Sequence, residues 1–151
     1  MLNDDTKEIE EIIGLYSFAK EARIKAETIG AKGCLGLSDE LSKAFDHLMR
    51  AIIHDLEQDK EKVKSAFCKV KGHLIRCCFD ASEIYILNRL NNIELIFKKH
   101  HPDDIKDAIP DYYCNILSQT YELKDELIKL KCFKGENLGL SEVSQLKKLV
   151  N

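Results

Sequence analysis

The chain has 151 residues, 44% of them apolar and 32% charged, with 23 basic and 26 acidic side chains and a net charge of −3. That length sets one domain, residues 1–151, with a substantial core as the expectation, and the charge balance gives no field for nonspecific DNA binding. No apolar run approaches the ~20 residues that cross a bilayer, and the polar, acidic start MLNDDTKEIEE is no signal peptide, so a cytoplasmic protein away from the membrane is expected.

Two prolines, seven glycines and a remainder rich in Leu, Ile, Lys and Glu make a helical composition. The first helix is expected from about Asp5 to Ile29, with Ile9, Ile12, Ile13, Tyr16, Ala19, Ala22 or Arg23, and Ala26 at helical spacing. GAKGCLGLSDE reads as a loop, with Gly30 at the C′ position behind that helix. Ser38 or Asp39 then caps helix two, whose apolar face runs through Leu41, Ala44/Phe45, Leu48, Ala51/Ile52 and Leu56. A polar run near Glu57–Lys60 leads into a long third helix, about Asp59 to Lys99, striped by Val63, Phe67, Val70, Leu74, Cys77, Ala81 and Ile84.

Pro102 in HHPDD ends helix three. Asp103–Ile109 forms a helical turn, and Pro110 takes the first position of helix four, which runs to about Cys132. Tyr113 is expected to pack in that helix, with stacking on a base by Tyr112-Tyr113 as the alternative. GENLGLSE is a second loop, and Ser141 caps a short last helix. No stretch alternates as a strand does. The expected fold is all-α: an up-down antiparallel four-helix bundle with one long third helix and a short C-terminal fifth helix.

Six cysteines form no C-x-x-C pair, so no zinc ribbon or thioredoxin-type site is expected. Cys68, Cys77 and Cys114 fall among apolar positions and read as buried reduced thiols. GAKGCLGLS lacks the Lys-Ser/Thr of a P-loop. No cofactor is expected. The lysines at 129, 131, 134, 147 and 148 read as a solvated face.

The stretches KAFDHLMRAIIHD (43–55) and KVKGHLIRCCFDA (69–81) nearly repeat each other: Lys, three residues, His-Leu, Met or Ile, then Arg. They hold two of the chain's four arginines and three of its five histidines. On helix two, His47, Arg50 and His54 are spaced three and then four apart and form one stripe. On helix three, His73, Arg76 and Asp80 form its equivalent, with Arg76 and Asp80 spaced to pair. An antiparallel hairpin turning near residue 58 sets residue 47 opposite about residue 70, so the stripes either share a groove or lie on different faces.

Arginine in a lysine-rich chain offers a planar fork for carboxylate or phosphate. Arg50 and Arg76 therefore either pair with acids of neighbouring helices, with His47 and His73 as edge residues, or build an anion or RNA site. His47 and His54 are seven apart and no Glu-x-x-His motif accompanies them, so no metal site is expected.

A small helical bundle with Arg50-x-x-x-His54 on one helix resembles the HEPN family of prokaryotic helical proteins. The hallmark of that family is an Arg, four to six residues and a His near a dimer interface. Here three residues separate Arg50 from His54, and Asp80 stands where the second copy's His would be sought. The likeness covers the bundle and this short motif. It implies RNA or nucleotide as the ligand class, a homodimer, and a setting in defence or toxin–antitoxin systems. In such a site His54 would act as general acid or base and Arg50 would stabilise phosphate charge. His47 or His73 would supply the other proton, with Arg76 and Asp80 completing the binding stripe. A non-catalytic helical module whose groove binds another protein or itself is the second function class. A metal–carboxylate bundle enzyme ranks last.

Overall fold

The computed structural model describes residues 2–29, 35–132 and 140–150. These form six α-helices: α1 (Leu2–Thr28), α2 (Leu35–Leu56), α3 (Lys60–Lys98), α4 (Pro102–Ala108), α5 (Leu117–Cys132) and α6 (Leu140–Val150). A π-helical turn at Tyr112–Ile116 leads into α5. No strand occurs among the described residues, and none of their helices is long and apolar enough to cross a membrane.

The all-helical expectation holds, and the helix count changes. The segment after the HHPDD break is a helix of its own, α4, rather than a turn: Pro102 occupies its first turn and the His101 side chain accepts from Asp103 N–H. Pro110 does not start the next helix. It sits in a turn, and the π-turn takes the place expected for the first turn of helix four. α2 begins at Leu35, so Ser38 and Asp39 lie inside it rather than at its cap. Ser141 likewise follows Leu140 within α6. At α2 the buried Leu37 adds apolar contact one residue before Ser38, and that packing outweighs cap preference. The Gly30 C′ assignment and most of the GENLGLSE loop lie outside the described residues.

Contacts divide the chain into two compact units, Met1–Ser82 and Glu83–Asn151. In the first unit the core is built from Leu15, Phe18 and Ala22 of α1, Leu37, Ala44 and Ala51 of α2, and Val70, Leu74, Cys77 and Cys78 of α3. Alanines dominate the α1 and α2 stripes, which lets the helices approach closely. Each buried Leu or Val contributes roughly 1.5–3 kcal/mol.

α1 buries Ile12, Ala19, Ala22 and Ala26 as expected, and its face departs from the expected one at its margins. Leu15 and Phe18 go inside, while Ile9, Ile13 and Tyr16 stay exposed. Lys71 Nζ meets Glu8 Oε1 at 2.7 Å and the Cys78 thiol donates to Leu15 O at 3.6 Å. Both pairs are offset equally along the chain, so α1 and this part of α3 run parallel. The Cys77 thiol donates to Leu37 O at 3.7 Å, and α2 runs antiparallel to both. Cys77 and Cys78 are buried as thiols, but Cys68 and Cys114 are exposed, against the expectation for those two.

The α2–α3 turn closes through a Schellman motif. Gln58 N–H donates to Asp55 O (2.9 Å) and Asp59 N–H to His54 O (3.0 Å), with Gln58 in the left-handed region at φ 60°. Asp59 then caps α3 by accepting from Lys62 N–H at 3.2 Å. The polar run at 57–60 is therefore one continuous helix stop and start.

The second unit holds the end of α3 with α4, α5 and α6. Leu90, Ile105, Tyr112, Leu127, Leu130 and Leu146 are buried there. A Glu94–Lys124 ion pair ties α3 to α5. Tyr113 stays 44% exposed rather than packing inside.

Candidate functional site: a cationic cleft between α2 and α3

The hairpin brings the two repeated stretches face to face. His47 stacks on His73 with ring centroids 5.3 Å apart and planes 18° from parallel, within one helical turn of the expected register. From that contact the two copies diverge.

The second copy is tied up by an acid of α2. Glu40 Oε2 receives Arg76 Nε at 2.9 Å and lies 2.9 Å from His73 Nδ1. Arg76 Nη2 is also 2.7 Å from His73 Nδ1. One nitrogen cannot serve both neighbours in the same way: protonated, Nδ1 donates to Glu40; bare, it accepts from Arg76. Burial alone would raise the Glu40 carboxyl, but the bonds from His73 and Arg76 outweigh it and hold Glu40 below its ordinary value. Asp80 is half-buried one turn beyond Arg76.

The first copy opens outward. His47, Arg50 and His54 of α2 face Lys62, Ser65 and Lys69 of α3 across a cleft of about 200 Å³. Lys62 is paired with Asp59 (2.9 Å), and His54 Nδ1 lies 3.2 Å from Glu57 Oε2. Among the described residues, Arg50 and Lys69 have no ion-pair partner. Burial first, and then the charges of His73, Arg50 and Lys69, push His47 below the usual imidazole range. At neutral pH it is an uncharged ring able to take a proton, and Arg50 and Lys69 are two free positive charges beside it.

Of the six residues named from sequence, His47, Arg50 and His54 share this cleft, while His73 and Arg76 sit behind it in the Glu40 clamp. The expected stripes thus meet in one hairpin but do not form one site. Glu40 and Lys69 escaped the sequence reading. Glu40 falls seven residues before His47, on the same stripe in the first turns of α2. Lys69 is the opening residue of the second repeat, and only the hairpin register shows that it faces Arg50. No protein-family model, curated protein or solved structure matches the chain.

The two flanks of α2 differ. At 100° per residue, His47, Arg50 and His54 lie on one side of the buried Leu37–Ala44–Ala51 stripe. Phe45, Met49, Ile52 and Leu56 lie on the other, and all four are exposed, Phe45 by 61% and Leu56 by 79%.

Proposed function

We propose that the protein binds RNA through the α2–α3 cleft and acts as a HEPN-like helical protein in a prokaryotic defence or toxin–antitoxin setting. The frame we infer for it is an up-down antiparallel four-helix bundle in the cytoplasm. One observation supports this reading above others: Arg50 and Lys69, two cations without an ion pair among the described residues, flank a depressed-pKa histidine in a single cleft of a net-acidic chain. Phosphate is the ligand that such a group fits, because Arg and Lys gain most where no carboxylate already satisfies them.

Cleavage, where it occurs, follows from the same residues. Neutral His47 takes the proton from a ribose 2′-OH, whose oxygen forms a bond to the adjacent phosphorus as the P–O5′ bond breaks; a proton reaches the leaving 5′ oxygen through His54, and Arg50 stabilises the charge developing on the phosphate. The direct test is anisotropy of labelled single-stranded RNA with wild type and Arg50→Ala, beside a gel assay of RNA cleavage with His54→Ala. Salt-dependent binding that Arg50→Ala weakens about tenfold is expected. A wild type that ignores RNA at low salt sinks the reading.

A second reading draws on the other flank of α2. Its exposed Phe45, Met49, Ile52 and Leu56 form an apolar arc suited to a protein partner, a second copy of the chain being the simplest. Sedimentation of wild type against Ile52→Glu tests it, with a dimer that dissociates in the variant as the expected result.

A further inference from the structure

The second unit holds a cavity that the RNA reading does not use. It measures about 350 Å³, in the range of small-molecule sites. Tyr112, Tyr113 and Tyr121 line it together with Phe97, Lys98 and His100. Three of the chain's five tyrosines meet there, and the chain has no tryptophan. Two consecutive residues, Tyr112 and Tyr113, both reach the cavity because they open the π-turn, where Leu117 N–H donates to Tyr112 O across a widened turn. Tyr112 is the buried member, its ring 3.8 Å from that of Phe97 with 32° between planes. Tyr113 stands edge-on to it at 74° and remains half-open to solvent. Tyr121 is 58% exposed. Aromatic surface left open in this way suits a planar ring.

The charges decide the sign of the ligand. The wall carboxylate, Glu94, is already engaged by Lys124, so it is not available to hold a cation. Lys98 and His100 have no ion-pair partner among the described residues, and both line the cavity. What remains without an ion pair is the Lys98 ammonium, beside the half-open Tyr113 ring and a Tyr121 ring that Lys124 Nζ covers on one side at 5.9 Å.

We propose that this cavity binds a nucleoside monophosphate, its base against Tyr113 and Tyr121 and its phosphate against Lys98 and His100. The site is independent of the α2–α3 cleft, since every residue lining it lies in the second unit.

Calorimetric titration of the whole chain with AMP, adenosine and inorganic phosphate tests this directly. AMP is expected to bind at least tenfold more tightly than either fragment, because only AMP carries both the ring and the charge. Tyr113→Ala is expected to weaken AMP about tenfold, the size of one lost base-stacking contact. Lys98→Gln is expected to bring AMP down to the affinity of adenosine and leave adenosine itself unchanged. Both side chains are solvent-exposed, so both variants should stay folded, Lys98→Gln at the wild-type melting temperature and Tyr113→Ala a few degrees lower for its lost edge-on contact with Tyr112, and each serves if the other does not. AMP binding no tighter than adenosine or phosphate overturns the proposal. So does AMP binding that survives both variants or disappears in Arg50→Ala, since the ligand would then sit elsewhere.

Discussion

The two copies of the Lys-x-x-x-His-Leu-x-Arg stretch begin alike and end in different environments. In the copy on α3, Arg76 and His73 spend their hydrogen bonds on Glu40. In the copy on α2, Arg50 lines a cleft and has no ion-pair partner among the described residues. The difference comes from position and not from composition. α2 supplies Glu40 one turn from the end of α3's stripe, and α3 supplies Lys62, Ser65 and Lys69 opposite α2's stripe. A repeated motif across an antiparallel hairpin therefore yields one clamp and one open site, with the stacked histidines as the hinge between them.

The sharpest way to break this contrast is to remove both open cations. Arg50→Ala with Lys69→Ala is expected to weaken RNA binding about a hundredfold and to lower the salt slope by about two, as for two lost phosphate contacts. The melting temperature should barely move, because exposed substitutions of this kind cost within about 0.5 kcal/mol. Anisotropy titrations at several salt concentrations and a thermal melt read both halves. A large drop in melting temperature would mean that this copy is structural too.

The converse substitution is Glu40→Ala. It leaves part-buried His73 and exposed Arg76 without their acceptor and is expected to cost about 1 kcal/mol, a fall of a few degrees in Tm. RNA affinity should stay within about twofold. Loss of binding without loss of stability would reverse the assignment of the two copies.

Gln58→Gly acts on the turn that sets the register between the copies. A non-glycine residue at φ 60° carries a strain of roughly 1 kcal/mol, so glycine is expected to raise Tm by a few degrees, as read by calorimetry. An unchanged or lower Tm would show that the entropy lost by glycine on folding outweighs the relief.

The smallest effect is in pH. Glu40 is held below its ordinary value of 4.5 in the fold. Its ionised form therefore stabilises the fold above pH 4.5, and that contribution is lost as pH falls through the lowered value. Wild type should exceed Glu40→Gln in Tm at pH 7, and the gap should close below that value. A gap that widens on acidification would show the sign to be wrong.

The helical periodicity and the punctuation by Pro102 and the 57–60 run carried the fold class and the long third helix. The repeat marked the right hairpin, and the spacing of His47, Arg50 and His54 placed those three in one cleft. What sequence could not show was which neighbour each copy would meet. Glu40 lay in a stretch whose three glycines and Ser-Asp pair favour a loop, yet apolar contact by Leu37 carries the helix through it. The aromatic cavity was legible only as the alternative in which Tyr112-Tyr113 stack on a base, for a related reason. A π-turn shifts side-chain phase by one residue, so the 3.6-residue period assigns Tyr113 to packing when it stands at a cavity wall.

Cys77 and Cys78 are neighbours on α3, yet their thiols are fastened to different helices, one to Leu37 of α2 and the other to Leu15 of α1. Burial pushes both above the usual thiol range, Cys77 to about 11, so neither is a reactive thiolate while the unit is closed. Cys68 and Cys114 are open to reagent from the start. An alkylating agent followed by peptide mass analysis would thus read two separate clocks on adjacent residues: labelling of Cys77 times the parting of α2 from α3, and labelling of Cys78 times the parting of α1.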